Sequence, residues 1–107
     1  MAQYKESINV QGLITGATLL PSQKEIVLTG YTKKYTAFLY LLYDYKNTSF
    51  SKGNKRKINL KLPFHQIEGI TSQDGSTFYI TNESTLKKPI VNTPPQIHQL
   101  DLKKYLK

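Results

Sequence analysis

Two glutamates, Glu68 and Glu83, flank a tight-turn signal in the stretch QIEGITSQDGSTFYITNE, residues 66–83, and they carry the sharpest chemical hint in the chain. Ile67, Ile70, Phe78, Tyr79 and Ile80 suit a pleated surface, and the Asp74-Gly75 pair between them is the strongest short-range hairpin signal. A turn centred between Asp74 and Gly75 pairs Ser72 with Thr77, Gly69 with Ile80 and Glu68 with Thr81. That register makes Glu68 and Glu83 diagonal neighbours on one face, roughly 7–8 Å apart. Two carboxylates so placed repel unless water or a cation lies between them.

The other chemistry-bearing residues point to packing and solvation. His65 and His98 are far apart, lack a flanking ligand pattern, and read as surface or loop histidines. No phosphate-cradling glycine loop is present, and Gly12 and Gly16 read as strand glycines. The run Lys52-Gly53-Asn54-Lys55-Arg56-Lys57 reads as a solvated edge. Tyrosines can stack on sugars or bases, but Tyr40, Tyr43 and Tyr45 sit within an apolar strand and read as packing residues whose hydroxyls reach a rim.

Composition narrows the partners. With 107 residues, 38% of them apolar, the chain has room for one small domain with a modest core. Cysteine is absent, which excludes disulfides and thiolate metal sites. No segment approaches the roughly 18 apolar residues of a membrane span, so none is expected. The net charge of +8 raises polyanions as partners, yet all but one of the 15 basic residues are lysine. Arginine dominates bidentate reading of phosphates and base edges, so nucleic acid is not the expected partner.

These residues need strands to position them. Residues 4–10 alternate loosely and predict a short edge strand that breaks at Gln11-Gly12. Strands follow over 13–20, where Gly16 signals a bulge or close backbone approach, and over 25–31 after a turn at Pro21 to Lys24. FLYLLYDY, residues 38–45, predicts a buried strand, and 46–54 a loop. KRKINLKL, residues 55–62, puts Arg56, Ile58, Leu60 and Leu62 on one face and Lys55, Lys57, Asn59 and Lys61 on the other, as an exposed edge strand does. After the central hairpin, 84–95 holds three prolines and predicts an irregular loop, 96–102 a strand, and 103–107 a terminal turn of helix.

The two halves answer each other. Ile8 and Ile58, Gly16 and Gly69, Thr29 and Thr81, and Asp44 and Asp101 recur about 50 residues apart, the period of β-propeller blades with four short strands each. The expected architecture is all-β, with antiparallel four-stranded sheets forming about two blades, in a single domain of two repeats at about 1–57 and 58–107. Propellers close with about four to eight blades, so the chain is expected to be a fragment of a longer protein or a protomer that self-associates.

The segments QGLITGA, LLYDY, GNKRKI and HQIEGIT carry a resemblance to the propeller of a group of uncharacterised secreted Bacteroidota proteins, often exported with a type IX sorting tail. The resemblance implies secretion or display at the cell surface. More distantly, EGI followed by FYITNE is similar to the inner hairpins of lactonase-type and phytase-type propellers, where such a glutamate helps hold calcium at the channel mouth. That similarity implies a metal role for Glu68, with Asn82 or Glu83 beside it. Calcium takes six to eight oxygens, more than this hairpin offers, and Thr15 and Tyr31 stand in the first repeat where the second has Glu68 and Glu83. No cofactor is therefore expected, with calcium the cation the resemblance admits. The expectation is a non-catalytic structural or ligand-binding module. The alternatives are a fragment of a calcium-dependent propeller hydrolase and a basic small-barrel nucleic-acid binder.

Overall fold

A strand that is apolar on both sides must be covered on both sides, and the run around Phe38 is the middle of the molecule for that reason. The computed structural model describes residues 3, 5–20, 24–34, 36–63, 66–83, 85–87, 91–93 and 95–105. Nine strands follow in order: β1 (Leu13–Leu20), β2 (Glu25–Tyr31), β3 (Thr36–Tyr43), β4 (Asn54–Pro63), β5 (Gln66–Ser72), β6 (Thr77–Glu83), β7 (Thr85–Lys87), β8 (Val91–Thr93) and β9 (Gln96–Asp101). Strands β1 to β4 make an antiparallel sheet in chain order, and β5, β6 and β9 make a second. The protein is all-β, and among the described residues its sheets hold four, three and two strands.

Ala37, Leu39 and Leu41 point from β3 to the second sheet, where they meet Ile67, Phe78 and Ile80 in one buried cluster with Val27, Leu20 and Leu102. Each large apolar side chain in that cluster stabilises the fold by about 1.5–3 kcal/mol. Ile58, Leu60 and Leu62 of β4 pack against the same cluster, so its lysines face the other way. The opposite face of β3 carries Phe38 and Leu42, which are also buried. An N-terminal segment lies against Phe38, and Glu6 to Ile8 line a hollow beside Leu42. Gly12 lies against the Phe38 ring, so close that a Cβ there would fall 2.6 Å from the ring. The ammonium of Lys57 sits 4.5 Å from the ring centroid and donates to the Gln11 carbonyl. Val10 is buried, and Glu6 accepts the Ser51 N–H at 2.7 Å. That backbone bond holds the Glu6 carboxyl below its ordinary range.

Residues 4–10 are expected as an edge strand; the described ones, 5–10, run instead as irregular backbone, with the Glu6 carboxylate serving Ser51 and the Gln11 carbonyl just beyond them serving Lys57 of β4. The proline-rich stretch, expected to be irregular, contains the short hairpin β7–β8. Strand β3 stops at Tyr43 because Asp44 adopts φ 57°, outside the strand region. Residues 103–105 form a turn closed by the Tyr105 N–H to the Leu102 carbonyl, not a helix, and 106–107 lie outside the described residues. Of the turn expected at Pro21 to Lys24, Lys24 is a turn residue with φ 48°, and 21–23 also lie outside them.

Both main hairpins carry the same irregularity. The β1–β2 ladder shifts between Ile14 and Gly16, setting Gly16 opposite Thr29, and the β5–β6 ladder shifts between Ile67 and Gly69, setting Gly69 opposite Thr81. Thr15 and Glu68 are the extra residues of these bulges. The central hairpin therefore departs from the two-residue turn expected of Asp74-Gly75. Its loop is Gln73 to Ser76, Ser72 pairs with Phe78, and Gly69 pairs with Thr81 rather than Ile80. The Asp74 carboxylate accepts the Thr77 N–H at 2.7 Å and the Ser76 N–H at 2.9 Å, while Gly75 takes φ 82°. The bulge at Glu68 absorbs the one-residue shift, and Gln66 pairs with Glu83.

The pairing of Asp44 with Asp101 is also corrected. Leu100 holds in β9 the register position that Leu42 holds in β3, so the counterpart of Asp101 is Tyr43.

Candidate functional site

Glycine brings the two hairpins together. A Cβ on Gly16 would fall 3.3 Å from the Gly69 Cα and 3.4 Å from the Ile70 nitrogen, so β1 and β5 approach backbone to backbone. The Thr15 hydroxyl, turned out by its bulge, donates to the Ile67 carbonyl across this seam. Thr29, fully buried opposite Gly16, donates to the Phe38 carbonyl at 3.2 Å. Gly16, which in sequence signals a bulge or a close approach, adjoins the bulge at Thr15 and makes the close approach.

The starts of β1, β3, β5 and β9 and the ends of β2 and β6 share one rim, as the antiparallel pairings and the Thr15 to Ile67 contact require. The sequence-selected residues lie here. Glu68 is exposed at its bulge. The backbone of Glu83 pairs with Gln66, two residues before Glu68, and its side chain lies outside what the structure describes. Asn82 is buried at 4% exposure, and its Oδ1 is 2.7 Å from Nε2 of His98. An amide oxygen only accepts, so Nε2 carries the proton. That bond takes one of the two lone pairs of the oxygen Asn82 would offer a cation. Among the described residues, no three His, Asp or Glu side chains converge as a metal site would need.

His98 lies in the expected strand but is half-buried and faces the first sheet rather than the surface; His65 lies outside the described residues. Its alternation with Leu100 in β9 carried that signal. Sequence reading also passed over Glu25, fully buried at the start of β2 on the face of Val27 and Thr29. Tyr40, Tyr43 and Tyr45 are half-buried.

A groove of about 690 Å³ opens at the same rim, lined by Gln11, Gly12, Leu13, Thr32, Lys33 and Lys34. Its floor is apolar and two lysines edge it. The β2–β3 turn presents them, held by the Thr32 N–H to the Thr36 carbonyl at 3.0 Å and by the Thr36 and Lys34 N–H groups to the Thr32 hydroxyl. No helix of the described residues is long and apolar enough to cross a membrane. Comparison with protein families, curated proteins and solved structures finds no match for the chain.

Proposed function

We propose that the chain is a non-catalytic structural or ligand-binding module of a secreted or surface protein, built as two β-propeller-like blades that associate with further blades. One observation carries the reading. Two hairpins with the same bulge meet through Gly16 and Gly69, while the far side of the first sheet leaves Leu19 57% and Ile14 41% exposed. A sheet with an apolar far side gains by covering it, at about 25 cal/mol per Å² of apolar surface removed from water. The rim polar groups support a structural use, since Thr15 bonds the Ile67 carbonyl and Asn82 bonds His98. The lysine-edged groove suits a small anionic or amphipathic ligand. Export rests on the resemblance of QGLITGA, LLYDY, GNKRKI and HQIEGIT to secreted propeller repeats.

Light scattering across a hundredfold concentration range tests the assembly. A mass that rises above that of one 12.3 kDa chain supports the reading, and a stable monomer throughout counts against it.

A further inference from the structure

The two bulged hairpins share one pairing register, position for position, and that correspondence bears on what each uncovered face can meet. Ladder positions relative to the bulges match Ile14, Thr15 and Gly16 of β1 with Ile67, Glu68 and Gly69 of β5. They match Ile26, Leu28 and Gly30 of β2 with Phe78, Ile80 and Asn82 of β6, and Leu39 of β3 with Ile97 of β9.

Burial breaks this correspondence in one consistent way. Ile67, Phe78 and Ile80 are fully buried against the first sheet, yet their counterparts Ile14, Ile26 and Leu28 are exposed or half-buried. Leu39 is fully buried against the second sheet, yet its counterpart Ile97 is 69% exposed, the barest large apolar residue described. The outer face of the first sheet thus repeats the buried face of the second. The outer face of the second sheet, with Tyr79, Thr81 and Ile97, repeats the buried face of the first. The N-terminal segment lies against Phe38 at Gly12 but leaves Ile14, Ala17 and Leu19 bare.

We propose that the second sheet of one copy docks by its Tyr79–Thr81–Ile97 face onto the Ile14–Ala17–Leu28 face of another copy's first sheet, head to tail. The contact repeats between chains the seam that Gly16 and Gly69 make within one. It rests on the assembly reading above, and being heterologous it propagates or closes a ring, whereas a two-fold contact pairs like faces. One element of the seam is not repeated. Thr15 donates its hydroxyl to the Ile67 carbonyl within the chain, but its counterpart Glu68 would bring a carboxylate, which only accepts, to the Ile14 carbonyl, which has no proton to donate. Glu68 therefore holds the contact weak and reversible.

The test uses the full chain with Ile14→Lys and Ile97→Lys, both at exposed positions, each checked by circular dichroism and melting. Each variant alone should associate at least tenfold more weakly than the wild type. Mixed, they should form a one-to-one dimer, because each keeps the face the other has lost. Glu68→Thr should tighten association about tenfold. If Ile14→Lys abolishes association while Ile97→Lys leaves it intact, the contact is two-fold between first sheets, and the head-to-tail proposal falls while self-association stands. A wild type that stays monomeric overturns both. Thr81→Arg, on the same outer face, replaces Ile97→Lys should that variant unfold, and the same outcomes apply.

Discussion

The Asp74 side chain shows how one carboxylate replaces a tight turn. By accepting the Thr77 and Ser76 N–H groups it satisfies two donors that a two-residue turn would have used within the ladder, and the Ser72 hydroxyl bridges the Thr77 carbonyl and the Gly75 N–H. The bond from Thr77, then that from Ser76, holds the Asp74 carboxyl below its ordinary value. A folded-state value below the unfolded one adds stability that is fully present above the unfolded value and is lost as pH falls through the folded one. Asp74→Asn keeps the acceptor oxygen and removes the charge. The wild type should therefore melt above the variant at pH 6, and the gap should shrink as pH falls below the usual Asp value. A gap that stays constant from pH 6 to pH 2 would show that the charge plays no part. Glu6 is held down in the same direction by Ser51, so only the difference between the two proteins isolates Asp74.

Strands and their pairing depend on glycine at one point above the others. A Cβ on Gly30 would fall 1.8 Å from the Leu13 carbonyl oxygen and 2.8 Å from its carbon, and a strand backbone cannot step aside as a flexible side chain can. Gly30 pairs with Ile14, one residue before the bulge that carries Thr15 and Gly16 to the seam. Gly30→Ala should cost about 2–4 kcal/mol in urea denaturation, whereas Gly75→Ala, strained only by its φ, should cost about 1 kcal/mol. Equal losses would mean that β1 can shift freely. The elements themselves were largely legible. The bounds of β1, β2, β5 and β6 follow from alternation and flanking turn residues, and the two faces of β4 were read correctly because lysine alternates with apolar residues there. Register was not legible, because it turned on a loop held by an Asp side chain and on bulges that only the opposing sheet makes useful. The N-terminal segment alternates as a strand would, yet it is held by Lys57 and Ser51 from a distant part of the chain. At the candidate site, Glu68 was chosen for its charge, while the Asn82 to His98 bond needed the β6–β9 pairing, which a proline-rich insertion conceals.

At the scale of the whole molecule the question is what +8 does. Strand β4 ends the first sheet, and an edge strand bare of charge invites pairing with other chains. Its lysines answer that need while also working inside the fold. Lys57 donates to the Gln11 carbonyl over the Phe38 ring, Lys55 donates to the Ser51 carbonyl at 3.0 Å, and Arg56 lies 5.0 Å from the Tyr105 ring centroid. Cations tied to carbonyls and rings are less available to a row of phosphates or sulfates, and the lone arginine is already stacked. Attraction to polyanions should then come from counterion release by a few free lysines, with no reading of sequence or shape. Binding to heparin or duplex DNA should fall linearly with log salt at a slope of about −3 or shallower and vanish near physiological salt. It should not distinguish one DNA sequence from another. Measured by fluorescence anisotropy, sequence-selective binding that survives physiological salt would overturn the structural assignment of these lysines and make the basic face an interface for nucleic acid.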